Sequence, residues 1–558
     1  MTYVHLTFTW IGICVLGFSC AYAEEPTLPS PRETPPPFML EQLGDVRRVV
    51  STSSPQAQAW FDQGFNLLYG FNHEGASMSF LEATKYDPEC AMAWWGVACA
   101  NGPNINDPMM SPYEESAAYT AANRALELIE TETSPANQAL IKALEGRYVY
   151  PNPADRAELD MAYADRLRAI HAKMPYDLDL AAITAEAIMN TQPWEYWNPD
   201  GTPKGACEEF RGIVEDMIRL DPNHPAANHL YIHIMEASPT PWIAESAADR
   251  LYTLMPASGH MVHMPSHIWV QTGRYEESVE CNRRGYELDD LWNSRVPETF
   301  SYRGYNAHNR HFLVYAAMLQ GQREASIETA WKMRETVPED FLRTYAPYFE
   351  SAFCAPWHAL IRFGEWQAVL DSPTPPDWQF VSIACRDGSR AVALANLGRH
   401  EEARKAFEEF KLSAANIPEE YLLGHNPRDP FLNAMTLFTE GELLYKAGDR
   451  EAGLAKLREA VIAEDALDYT EPPPVLQPVR HALGALLVLD KQYVEAEQVY
   501  REDLKKHPAN GWALLGLRDA LAGQNRLDEA AMVDAAFRRA WKNADVMPPA
   551  SCYCGVDE

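Results

Sequence analysis

Two short stretches, NHLYIHIME from Asn228 and VHMPSHIWV from Val262, each carry a pair of histidines four residues apart. His229 precedes His263 by 34 residues, and His233 precedes His267 by the same interval. A four-residue spacing puts both rings on one face of a helix. Neutral imidazole is the commonest protein ligand for divalent transition metals, and zinc takes such nitrogens at about 2.0–2.1 Å in tetrahedral sets. Two helices that each offer two inward ligands are also how di-metal bundles are built. Glu186, upstream, and Glu236, three residues after His233, add carboxylates that can complete a shell or orient a ring from behind. A shell containing carboxylate suits iron, manganese or zinc; histidine alone suits copper or zinc.

The interval itself says what must position these rings. In WFDQGFNLLYGFNHEGASMSFLEATKYDP, the residues Trp60, Gly64, Ala76, Phe80, Ala83 and Pro88 fall on positions 4, 8, 20, 24, 27 and 32 of a 34-residue frame. Small residues at 8, 20 and 27 let two antiparallel helices approach, and the proline at 32 ends the second helix. The frame returns with Leu483, Gly484, Ala496, Tyr500 and Pro508, then with Trp512, Leu515 and Gly516 in GWALLGL. A weaker copy surrounds GELLYKAGDREAGLAKLREA, while QPWEYWNPDGTPKG and EPPPVLQP read as insertions. Strand patterns are nearly absent. The expected fold is all-α, helix pairs stacked into an α-solenoid.

These positions are the signature of the tetratricopeptide repeat, and most of residues 56–545 resembles that family, specifically its long exported bacterial members. The resemblance implies a right-handed superhelix of antiparallel helix pairs. It also implies that positions 2, 5, 9 and 12 of each first helix line a concave groove for ligands. With Pro222 on position 32, His229 falls on 5 and His233 on 9; one unit on, His260, His263 and His267 fall on 2, 5 and 9. Counting back from Pro338 puts His308 on 2, His311 on 5 and Tyr315 on 9, and counting from Pro175 puts Glu186 on 9. Seven of the eight histidines between 224 and 311 thus face the groove in this frame, which makes a ladder of imidazoles on adjacent helices. Pro265, between His263 and His267, fits that ladder if it sits in a helix's first turn.

Composition narrows the partners. With 79 acidic against 47 basic residues, a formal net charge of −32 disfavours binding to nucleic acid phosphates and to anionic membrane surfaces. The apolar stretch LTFTWIGICVLGF ahead of Ala21-Tyr22-Ala23 reads as a signal peptide over residues 1–23, although no Lys or Arg precedes it. The expected product is exported, periplasmic or extracellular, with no membrane span after cleavage. Residues 24–55 read as a Pro-rich extended leader, 56–345 as an N-terminal array with the His-rich groove, and 346–545 as a C-terminal array. Residues 546–558 form a tail carrying Cys552-x-Cys554, a spacing that suits a soft ion, a disulfide or a free end. Trp194 and its neighbours could lid the groove or cap a helix pair.

No phosphate-binding glycine loop, Gly-x-Ser-x-Gly elbow or His-Glu-x-x-His is present. Three readings follow. The groove holds a divalent transition metal (Zn, Cu, Fe or Mn) through His229, His233, His263 and His267, with His260, His308, His311 and Glu186 in reach. Alternatively it takes a peptide or protein without metal. A third reading makes the same cluster an oxidase or hydrolase centre with an open coordination position.

Overall fold

A computed structural model describes residues 37–296 and 301–556. The expected signal peptide and the first part of the leader lie outside them. Antiparallel helix pairs follow one another along the chain: Pro55–Tyr69 with His73–Tyr86, Ala91–Ala100 with Pro112–Glu127, and so on to Gly511–Gly523 with Leu527–Ala540. Among the described residues the sheet content is one two-residue ladder, Leu422–Leu423 against Asn426–Pro427. The architecture is the all-α solenoid of tetratricopeptide type that the 34-residue frame demands.

Local chemistry fixes where the helices start. Ser54, Ser111, Asp177 and Asn510 each accept a backbone N–H from the first turn they precede, satisfying donors the helix cannot use itself. Ser111 and Glu114 form a complete capping box. Proline opens the helices at Pro55, Pro112, Pro135 and Pro225, where its missing N–H is no loss.

The small positions of the frame do what their size permits. Gly64 and Gly96 clasp the Phe80 ring: a Cβ on Gly96 would lie 2.5 Å from Phe80 Cδ1, and one on Gly64 2.8 Å from it. Gly484 and Gly516 hold Tyr500 in the same way, with a Cβ on Gly516 only 2.0 Å from its Cζ. Both rings are fully buried, so neither can move aside cheaply. Gly96→Ala should therefore destabilise the fold by about 1–3 kcal/mol, read as a lower melting temperature with unchanged helicity.

Three boundaries differ from the sequence reading. From residue 37 the leader is not free: Leu43 and Val50 are buried, and Arg48 donates to Asp177 and Asn137 at 2.9 and 2.7 Å. Its apolar residues and its one buried guanidinium tie it to the first repeats despite its proline content. The line at 345/346 falls inside helix Glu339–Phe349, and one apolar core joins Val270–Met333 to Leu476–Trp541 across it. The tail is docked as well, with Ser551, Cys552 and Cys554 buried and the two cysteines bonded to each other.

That shared core closes the solenoid on itself. Trp512 Nε1 donates to the Met318 carbonyl at 2.7 Å, Tyr275 Oη to the Pro508 carbonyl at 2.9 Å, and Asp545 accepts from the backbone N–H groups of Arg323 and Glu324. The loop between Asp465 and Val479 reaches back to Gln271, which donates to Tyr469 Oη at 3.3 Å. No helix among the described residues is long and apolar enough to cross a membrane.

Candidate metal centre

Three successive first helices carry the histidines. His229 and His233 lie on Pro225–Met235, His260 and His263 on Gly259–His263, His267 on Pro265–Trp269, and His308 and His311 on Ser301–Leu319. Pro265 opens the second of two short helices joined at Met264, which keeps helical dihedrals. The turn is interrupted, the direction is not, and His263 and His267 still share a face.

The rings assemble as two trios rather than facing pairs. His229 Nε2 lies 3.1 Å from His233 Nε2 and 3.1 Å from His260 Nε2. His267 Nε2 lies 2.9 Å from His263 Nε2 and 3.4 Å from His308 Nε2. Each trio takes positions 5 and 9 of one unit and position 2 of the next. The two sit side by side, with ring centroids 6.2 Å apart between His233 and His267 and 6.1 Å between His260 and His263. His229, His233, His260, His263 and His267 are buried; His308 alone is half-buried and marks the edge facing outward.

What stands behind the rings decides their tautomers. His229 Nδ1 faces the Tyr69 carbonyl at 2.9 Å, and a carbonyl only accepts, so that nitrogen carries the proton. His233 Nδ1 faces Glu236 Oε1 at 2.9 Å. His263 Nδ1 faces Asn282 Oδ1 at 2.6 Å, the Asn282 amide being turned that way because its Nδ2 donates to the Ser278 carbonyl. His267 Nδ1 contacts Glu236 Oε2 and, at 3.2 Å, Glu471 Oε2. Glu236 therefore touches one ring of each trio. With Nδ1 protonated, a neutral ring presents a bare lone pair at Nε2, and these lone pairs point at one another.

Burial holds His229, His260, His263 and His308 well below the usual imidazole range, which keeps them neutral. Burial lowers His233 too, with Glu236 partly opposing it. His267 is the exception: burial disfavours its charge, but Glu236 and Glu471 outweigh that and raise it. Glu236 would be raised by burial, yet His267 and His233 bring it below the carboxylate range, while burial pushes Glu471 up to about 7. A proton on His267 relieves one lone-pair contact in its trio; in the other trio Glu236 opposes burial at His233 only in part, and His233 stays lowered.

Aromatic rings wall the centre. Phe71 lies with its ring centroid 4.5, 5.9 and 5.6 Å from those of His229, His233 and His260. Phe312 does the same for the other trio, at 5.3, 4.8 and 5.7 Å from His263, His267 and His308. Tyr305 covers His260 at 4.5 Å. Trp194 meets His233 edge-on at 5.3 Å, so the aromatic insertion covers the centre, while Trp197 Nε1 caps the Ile234 carbonyl at 2.7 Å.

Two expected ligands stand elsewhere. His311 occupies position 5 of the third unit, but position 9 there is Tyr315, so no second ring meets it; burial, with His358 nearby, lowers it to about 3. Glu186 lines a separate cavity with Arg147, Tyr163 and Cys99, where burial pushes it up to about 7. It does not face the trios because its helix, Leu178–Met189, lies one unit before the first histidine pair. The sequence reading missed Asn282, Glu471 and the two phenylalanines. Asn282 sits on a second helix, outside the groove positions, and Glu471 comes from an insertion loop some 200 residues on. Neither carries a local signal.

No protein-family model and no curated protein matches the chain. Among solved structures, a human IFIT1 dimer with m7Gppp-AAAA is 11% identical over 86% of this chain and 97% of that one, with a TM-score of 0.32. The human IFIT1 dimer with PPP-AAAA gives 13% identity over 85% and 88%, with a TM-score of 0.30. The APC/C hetero-tetramer Cut9–Hcn1 gives 12% identity over 87% and 76%, with a TM-score of 0.28. Similarity this distant says nothing about the chemistry of the histidine centre.

Proposed function

We propose that this protein binds two transition-metal ions, one on His229, His233 and His260 and the other on His263, His267 and His308. The observation that carries the reading is the convergence of Nε2 atoms at 2.9–3.4 Å, with the Nδ1 positions of four rings committed to oxygen acceptors. Neutral rings whose Nδ1 atoms both carry the proton, His229 with His233 and His263 with His267, bring bare Nε2 lone pairs together unless a cation lies between them. Ligating histidines whose second nitrogen donates to a carbonyl or carboxylate are the usual arrangement of a built metal site. With imidazole alone in each trio, copper and zinc fit best, and three protein ligands leave a coordination position open for water or a small molecule. The rings are buried rather than spread along an open groove, which disfavours a peptide lying against them.

Elemental analysis of protein from its native source tests this. About two equivalents of copper or zinc per chain are expected; below about a tenth of an equivalent of any transition metal, in protein that also fails to bind either ion on titration, the reading is wrong. Glu236 links the two trios, so Glu236→Gln should weaken both ions together by roughly 10–100-fold. A substitution behind one trio only, Asn282→Ala, should weaken one ion and spare the other, as read by competition with a chelator.

A further inference from the structure

The C-terminal array holds a second feature that the histidine centre does not use. A cleft opens between the segment 350–362, helices Phe380–Asn396 and Arg428–Lys446, and the loop 474–477. Phe410, Phe431, Met435, Phe438, Val392 and Val475 are among its apolar lining, and no Lys, Arg, Asp or Glu lines it. An ionised ligand would find no partner there, so the occupant is neutral and apolar.

One wall differs. Cys354, His358 and Cys385 line the cleft together, with Cys385 Sγ 3.6 Å from His358 Nε2. The other ring nitrogen, His358 Nδ1, is buried without a hydrogen-bond partner. The neighbouring Cys354 and the His358 imidazole bring the Cys385 thiol below its usual range, while the Cys354 thiol itself donates to the Val381 carbonyl at 3.8 Å. Burial does the opposite to Cys90 and Cys207, each pushed up to about 11, and to Cys99, pushed up to about 12. A cysteine sulfur beside an imidazole nitrogen is the nucleophilic arrangement of a cysteine, and here it lines an apolar cleft.

We propose that this cleft takes a long-chain acyl thioester and that Cys385 is acylated in it, with His358 as the proton partner. The Cys385 thiolate attacks the thioester carbonyl carbon. A new carbon–sulfur bond forms to Cys385, the bond to the departing sulfur breaks, and that thiolate takes the proton held on His358. No electron donor or acceptor is needed. The apolar wall receives the hydrocarbon chain, which gains roughly 0.8 kcal/mol for each CH₂ it buries.

The test uses the full chain, kept reduced, with the palmitoyl thioester of N-acetylcysteamine as probe. Intact mass should show one acyl group added, neutral hydroxylamine should remove it, and peptide mapping should place it on Cys385. Cys385→Ser should lose the adduct, and His358→Gln should slow its formation by roughly 10²-fold. Cys354→Ser should still acylate, because the attacking sulfur remains. A competing soluble acetyl thioester should react far more slowly if the cleft supplies chain recognition. The proposal fails if wild-type protein forms no adduct, or if the label spreads over Cys90, Cys99 and Cys207. It also fails if acetyl and palmitoyl probes react alike. Mapping on wild-type protein keeps the test decisive even if a variant misfolds.

Discussion

His233→Ala and His267→Ala should each lower bound metal from about two equivalents per chain to about one, and the double variant should bind none. Each substitution takes one ligand from one trio, and two imidazoles hold an ion far less tightly than three. The predicted selectivity is the informative part: His233→Ala empties the trio of His229 and His260, leaving His263 and His308 with His267. Because Glu236 faces both rings, a partial weakening of the surviving ion is also expected, smaller than the loss at the altered trio. Helicity by circular dichroism should stay near wild type, since the rings pack against Phe71 and Phe312 without making the helix pairs. A single variant that loses both ions at once would mean one shared site instead of two.

Asp503→Asn should remove about 3–5 kcal/mol of stability. The Asp503 carboxylate is fully buried and accepts from His481 Nε2 at 2.9 Å, His507 Nδ1 at 3.1 Å and Asn510 Nδ2 at 2.9 Å. Asn510 in turn caps the helix that begins at Gly511. An amide offers one acceptor oxygen and turns an NH₂ toward donors, so at least one buried donor is orphaned. The pH dependence has a definite sign. Burial would raise Asp503, but His481 and His507 outweigh it and take it well below the carboxylate range. Its contribution is therefore present above the unfolded value near 4 and is lost as pH falls further. Burial lowers His481 to about 4, so the unfolded chain binds that proton first, and stability falls as pH drops from about 6.5 toward 4. Denaturant melts at stepped pH should show both limbs in the wild type and lose the lower one in Asp503→Asn.

How far the centre could be read from sequence depends on which interactions are local. The frame placed His229, His233, His263 and His267 on groove faces because helix period and repeat length are properties of neighbouring residues. The same frame holds the rule the structure uses, positions 5 and 9 with position 2 of the following unit. It also shows why the ladder stops: Tyr315 stands where a third pair would need its second ring. Pairing across facing positions was the wrong geometry, since His260 and His308, given as reserves, complete the trios. Glu186 satisfied the frame and still missed, because facing the groove one helix away does not bring a side chain within ligand distance. The docking of residues 37–54 was hidden by a proline-rich composition that describes backbone preference, not the burial of Leu43 and Val50 or the partners Arg48 finds 80 or more residues later. Solenoid stacking is local; closure of the two arrays depends on pairs such as Trp512 with Met318 that no period encodes.

Closure also sets an order in time. All six imidazoles have been translated by residue 308, whereas Glu471, which backs His267, follows 163 residues later. At synthesis rates of about 5–20 residues per second, the nascent chain spends on the order of ten seconds with its rings made and that carboxylate still missing. An ion captured in that interval, on the proposed reading, would meet a different donor set from the one the finished molecule offers. On the proposed two-ion reading, faithful loading therefore belongs after Glu471 has been made and stands behind His267, so that the completed shell chooses the ion.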